Sequence, residues 1–175
     1  GDIHPFGNPH YILDPLNGKI VAANIANRLS EISSTQTEYF QQNLSDFNQK
    51  IDQKMAEWQN KLAPYKGERI ITYHKTWNYF ASRFGLEIAN ELESKPGIPP
   101  SASHLEEVIQ LIKDEKIKVI LQENIYGDSA ARFVAERTGT QVVKAPISVG
   151  GIKEARDYFA LIDTVVDMIT KGFSR

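Results

Sequence analysis

A chain of 175 residues, 41% of them hydrophobic, can bury a core as one domain or as one lobe of a larger protein. Its formal net charge of -2 gives no electrostatic case for nucleic acid or an anionic membrane surface, and the absence of cysteine excludes disulfide scaffolds and thiolate zinc sites. No apolar run approaches the roughly 20 residues that span a bilayer, and no signal peptide opens the chain. The start, "GDIHPFGNPH", reads as mid-protein sequence, so a fragment is expected.

Residues 7–15, "GNPHYILDP", pack two prolines and a glycine around His10 just before a helical rhythm begins. Val21, Ile25, Leu29 and Ile32, three or four apart, predict a helix with these residues on one face, interrupted by "SST" at 33–35. Phe40, Leu44, Phe47, Ile51, Met55, Trp58 and Leu62 keep the same spacing and predict one long amphipathic helix over 37–62, ended by "APYKGE". From residue 68 short strands alternate with helices. "ERIITYH" reads as strand and "KTWNYFASRFG" as helix, with Trp77, Phe80, Ala81 and Phe84 inward and Gly85 as its stop. "LEIANE" is a second strand, followed by the proline-forced loop "SKPGIPPSASH", where Ser101 or Ser103 can cap the next helix. Leu105, Val108, Ile109 and Ile112 mark that helix, and "KIKVILQE" is a β-branched strand of the kind buried on both faces. Helix "GDSAARFVAERTG", strand "TQVVKAP", loop "ISVGG" and a terminal helix over 153–173 complete the chain.

This alternation predicts an α/β fold: a small, mostly parallel four-stranded sheet flanked by helices, preceded by two long helices. The expected division is 1–66 for the first segment and helix pair, and 67–175 for the α/β lobe.

Ligands of open α/β sheets collect at the carboxyl ends of the strands. His74 ends "IITYH" and Glu123 ends "KVILQE", while Asp157 lies in the first turn of the terminal helix. A His, a Glu and an Asp from three crossings could form a metal or acid–base cluster. Each also has a structural reading: His74 as a satisfied strand-end residue, Glu123 as a cap for the loop "NIYGD", Asp157 as an acid favoured at a helix N-terminus. His4 and His104 read as ordinary. "SVGG" is too sparse for a phosphate loop, and no G-x-S-x-G, H-E-x-x-H or P-loop is present.

Two stretches carry a family resemblance. "GNPHYILDPLNGKIVAANIANRLSE" resembles the second metal-ligand segment of the periplasmic solute-binding proteins of zinc, manganese and iron ABC transporters, in which a Pro-His stretch introduces the helix linking two lobes. "ITYHKTWNYFASRFGLE" is similar to the third ligand segment of that family, and "PGIPPSASHLEEVIQLIKDEKIKVILQEN" to the stretch that follows. The resemblance runs from about residue 7 to the end of the chain.

It implies that His10 and His74 are the second and third ligands of a divalent transition metal. The family's fourth, an Asp or Glu in a "Gly-Asp-x-Tyr" setting, has its counterpart in "EARDYFALID", where Asp157 directly precedes Tyr158. That one-residue departure leaves the fourth position to Asp157, to Glu123 or to a water. The first ligand, and any signal or lipoprotein anchor, would lie upstream of Gly1.

Two imidazoles with one or two carboxylates suit zinc first, and manganese or iron as the carboxylate share grows. A closed site of this kind binds and releases rather than catalyses. The resemblance thus implies a metal receptor, periplasmic or membrane-anchored outside the cytoplasm, delivering its ion to an ABC permease, with pairing to a second copy or a domain swap as an option. The competing readings are a metal-dependent hydrolase using His74 and Glu123, and an adhesive or structural lobe without metal dependence.

Overall fold

The computed structural model describes residues 7–95 and 97–174. β1 (Arg69–Thr72), β2 (Glu87–Glu91), β3 (Val119–Glu123) and β4 (Gln141–Ala145) form one sheet in the order β2-β1-β3-β4, every pairing parallel. Successive side chains of a strand point to opposite faces, and the two core clusters follow that alternation. Ile70, Val119 and Leu121 join one cluster, whereas Ile71 and Ile120 join the other. All five residues of β3 are buried, as expected for a β-branched strand covered by helices on both sides.

On one face lie α2 (Thr37–Leu62), α3 (Asn78–Phe84) and α6 (Tyr158–Phe173); on the other lie α4 (Ala102–Glu115) and α5 (Ser129–Thr138). Ser101 caps α4 by accepting the His104 amide, and Gly85 ends α3 in the left-handed region at φ 76°. The terminal helix begins at Tyr158, not at 153 as its apolar period suggested. The chain turns through Gly150 at φ 78°, and Asp157 then supplies the N-cap by accepting the Ala160 amide at 2.8 Å. The stretch predicted as one helix over 75–85 opens with a 3-10 turn, Lys75–Trp77, before α3.

α1 (Pro15–Ile32) and α2 pack against each other as an antiparallel pair. Only the second half of α2 enters the lobe's core, through Ile51, Met55, Trp58 and Leu62, with Phe47 packed at its margin. The predicted stripe of α1 does not face the core. Ile25 and Ile32 are 55% and 68% exposed, and the buried positions are Pro15, Gly18 and Ala26. Those small residues let α1 approach closely: a Cβ on Gly18 would stand 2.6 Å from the Tyr158 hydroxyl. That hydroxyl donates to the Ile12 carbonyl at 2.8 Å, so Gly18→Ala is expected to push Tyr158 aside, break this bond and lower the melting temperature. At about 1–3 kcal/mol of overpacking, the loss should be visible by calorimetry. An unchanged transition would show that α1 can shift without cost.

Candidate metal centre

With the strand order β2-β1-β3-β4, the chain leaves β1 in one direction and returns to β3 on its other side. The crevice between the carboxyl ends of β1 and β3 is therefore the topological switch point, where open parallel sheets bind ligands. His74 follows β1 and Glu123 ends β3, so both stand at this crevice. His10 reaches the same place from the 3-10 turn His10–Leu13, and its ring lies edge-on to that of His74 with centroids 5.6 Å apart.

Local bonds hold the two histidine segments in register. The Asn8 side chain accepts the His10 amide at 2.9 Å and donates to the Lys75 carbonyl at 2.6 Å, joining the two arms directly. Asp14 caps α1 by accepting the Leu16 amide and receives a two-pronged contact from Arg83, Nε to Oδ1 and Nη2 to Oδ2, both 2.8 Å. The arm carrying His10 is thereby fastened to α3, on the far side of the sequence from it.

Two carboxylates border His74. Glu93, just beyond β2, sets Oε2 against His74 Nδ1, while its Oε1 accepts the Gly97 amide at 2.7 Å. Both side chains are buried. The reading from sequence missed Glu93, although the carboxyl-end rule applied to β1 and β3 would have pointed to it had it been applied to β2. Glu123 is fully buried, and neither of its oxygens has a hydrogen-bond partner. It does not cap the loop that follows; Gln122 serves that loop instead, donating to the Tyr126 and Gly127 carbonyls. Tyr126 in turn stacks on Tyr73 with centroids 4.5 Å apart, walling one side of the crevice.

Burial pushes the Glu123 carboxyl up to about 7, opposed by the Thr76 hydroxyl and the Glu123 amide, which approach it without a well-formed hydrogen bond, and by the His74 ring, and reinforced by Glu93. The raised value means that the folded chain holds this proton more tightly than the unfolded chain. Its contribution to stability is whole below about pH 4.5 and is lost as pH rises through about 7. A shift of that size corresponds to about 3 kcal/mol. Urea unfolding of the metal-free chain at pH 5 and pH 8 is expected to show this loss, and Glu123→Gln is expected to lessen it. An equal pH dependence in the variant would mean that Glu123 is not the titrating group.

Asp157 stands elsewhere in role: exposed, capping α6, with Arg156 Nε 3.8 Å from its Oδ2. His104 binds the Glu91 carbonyl from the start of α4, and His4 lies outside the described residues. Among the described residues, no three His, Asp or Glu side chains are gathered closely enough to hold a metal ion together. The geometry brings His10 and His74 together as a pair of imidazoles, with Glu93 and Glu123 behind His74.

A small parallel lobe preceded by a helix pair thus carries two histidines at its switch point, the place where open parallel α/β sheets generally bind ligands. The particular assignment follows from comparison: residues 2–172 match the model of the ZnuA family, described as zinc-uptake complex component A, periplasmic, and the chain belongs to that family. It is 29% identical over 129 residues to the high-affinity zinc uptake system protein ZnuA of Brucella abortus (strain 2308), covering 74% of this chain and 39% of that protein. It is 28% identical over 183 aligned positions to the iron-binding protein YfeA of Yersinia pestis, covering 100% of this chain and 58% of that one. The chain thus spans between about two fifths and three fifths of the length of these relatives. Among solved structures, the laminin-binding protein Lmb of Streptococcus agalactiae, described as bifunctional with adhesin and metal-transporting activity, superimposes with a TM-score of 0.82 at 22% identity. That match covers 94% of this chain and 63% of Lmb, and it shows the shared fold.

Proposed function

We propose that this chain is the metal-ligating C-terminal part of an extracytoplasmic solute-binding protein that delivers a divalent transition metal to an ABC importer. The observation that carries this reading is the His10–His74 pair, 5.6 Å apart at the switch point, beside the buried and unpartnered carboxylate of Glu123. Residues 1–66 carry His10 and the helix pair, and residues 67–175 form the lobe on which they sit. His10 and His74 are the ligands contributed here. Glu123 is the stronger candidate for an added carboxylate, because it is buried at the crevice, whereas Asp157 is exposed and its Oδ1 already accepts the Ala160 amide at the start of α6. The remaining coordination comes from the part of the longer relatives that this chain does not span. Zinc fits a site led by imidazole, with manganese and iron favoured if Glu123 joins. The relatives named for zinc, iron and manganese support a transition metal as cargo.

Membership in a family of solute-binding proteins supports binding and release rather than turnover. The permease is the natural partner, and the family description places the site of action outside the cytoplasm. Titration calorimetry with Zn2+, Mn2+ and Fe2+ tests the proposal. Saturable one-to-one binding, with a matching rise in melting temperature, is expected for at least one of them. A chain whose stability no metal changes would favour the adhesive or structural reading.

A further inference from the structure

We propose that Glu93 is a positioning residue for His74, selecting the ring tautomer that presents Nε2 to the metal; this rests on the reading of His74 as a ligand. A carboxylate can only accept a hydrogen bond, so the ring atom facing Glu93 Oε2, Nδ1, carries the proton. The neutral ring then has its lone pair on Nε2 alone. Histidine ligands generally donate their other N–H to such a partner, which orients the ring and strengthens it as a donor.

The setting makes the contact persistent. Both side chains are nearly out of solvent, at 6% and 4% exposure, so water does not compete for either. The second oxygen of Glu93 is held by the Gly97 amide, which prevents the carboxylate from rotating away. Backbone pairing sets the level: the Glu93 amide donates to the Tyr73 carbonyl, placing the two residues side by side at the sheet edge. Glu93 therefore couples the loop after β2 to the orientation of a ligand that follows β1. It does not itself need to touch the ion.

The test uses the full chain with Glu93→Ala, the isosteric Glu93→Gln, and His74→Ala as reference. Zn2+ affinity is read by competition with a chromophoric chelator, and the His74 tautomer by nitrogen-15 NMR of the metal-free protein. Wild type should show the Nδ1–H tautomer at His74. Glu93→Ala should shift the ring toward the Nε2–H form and weaken Zn2+ binding about 10–100-fold. Glu93→Gln, whose amide oxygen can still accept the Nδ1 proton, should keep the tautomer and most of the affinity. If Glu93→Ala fails to fold, Glu93→Met, which fills the space without an oxygen acceptor, takes its place: a ring shifted toward the Nε2–H form with weakened Zn2+ binding supports the proposal, and a ring still in the Nδ1–H form overturns it. An unchanged tautomer in Glu93→Ala overturns it too, whatever happens to affinity, because the effect would then be merely structural. If His74→Ala also leaves Zn2+ binding intact, the metal-site reading has failed; if only His74→Ala weakens it, the role of Glu93 alone is wrong.

Discussion

His74→Ala is expected to weaken Zn2+ binding by about a hundredfold, and His10→Ala by a comparable factor. Structural zinc sites with four ligands are worth about 10–16 kcal/mol, so one ligand carries about 3 kcal/mol. The two rings differ in setting. His74 is buried and braced by Glu93, whereas His10 is half-buried on a turn held through Asn8. Because both rings are proposed as ligands of one ion, the double variant should lose much less than the sum of the single losses. A shared ion predicts strong non-additivity, because the second removal acts on a site already lost. Calorimetry across pH adds a signature: affinity should fall as pH drops through about 7, where Glu123 takes up its proton. Loss of less than tenfold in both single variants would remove these residues from the site.

Arg83→Met should produce the largest loss of stability together with a loss of metal affinity. Asp14 is 6% exposed, caps α1, and receives both prongs of the Arg83 guanidinium. Removing the cation leaves a buried carboxylate without its charged partner, which costs about 3–5 kcal/mol in a fully buried pair. Arg83 is itself about a third exposed, so solvent returns part of this and about 2–3 kcal/mol is expected. For a chain of this size that is a fall of roughly 4–12 °C in melting temperature. The functional part of the effect arises because Asp14 follows directly on the turn that carries His10. Pairing Arg83→Met with Asp14→Asn should restore much of the stability, since neither charge then remains unpaired. A double variant as unstable as the sum of its parts would show that the pair does not act as a unit.

The period of α2 was legible because one long helix buries one stripe whatever surrounds it. Likewise the β-branched run of β3 could only be a strand with helices on both faces. Asp14-Pro15 reads as a helix start from local chemistry alone, and the structure begins α1 there. α1 misleads for the opposite reason. Ile20, Ile25, Leu29 and Ile32 are exposed, while Gly18 makes a close contact and Ala26 is buried, so hydrophobic spacing points to the wrong face. The terminal helix starts five residues later than its apolar period predicts, because a helical period does not reveal where a turn through Gly150 will precede its cap.

The sequence by itself determined which residue types were at hand: a proline-held histidine, a histidine closing a strand, and an acid ending a buried one. Each follows from local pattern, since strands of alternating or continuous apolar residues place their last polar residue at the sheet edge. Only the tertiary structure decided how these meet. Parallel pairing of β2 beside β1 brings Glu93 level with His74, the Arg83–Asp14 contact sets the arm of His10 against α3, and burial leaves Glu123 without a partner. Those are long-range consequences of register and packing, and no short stretch of residues encodes them.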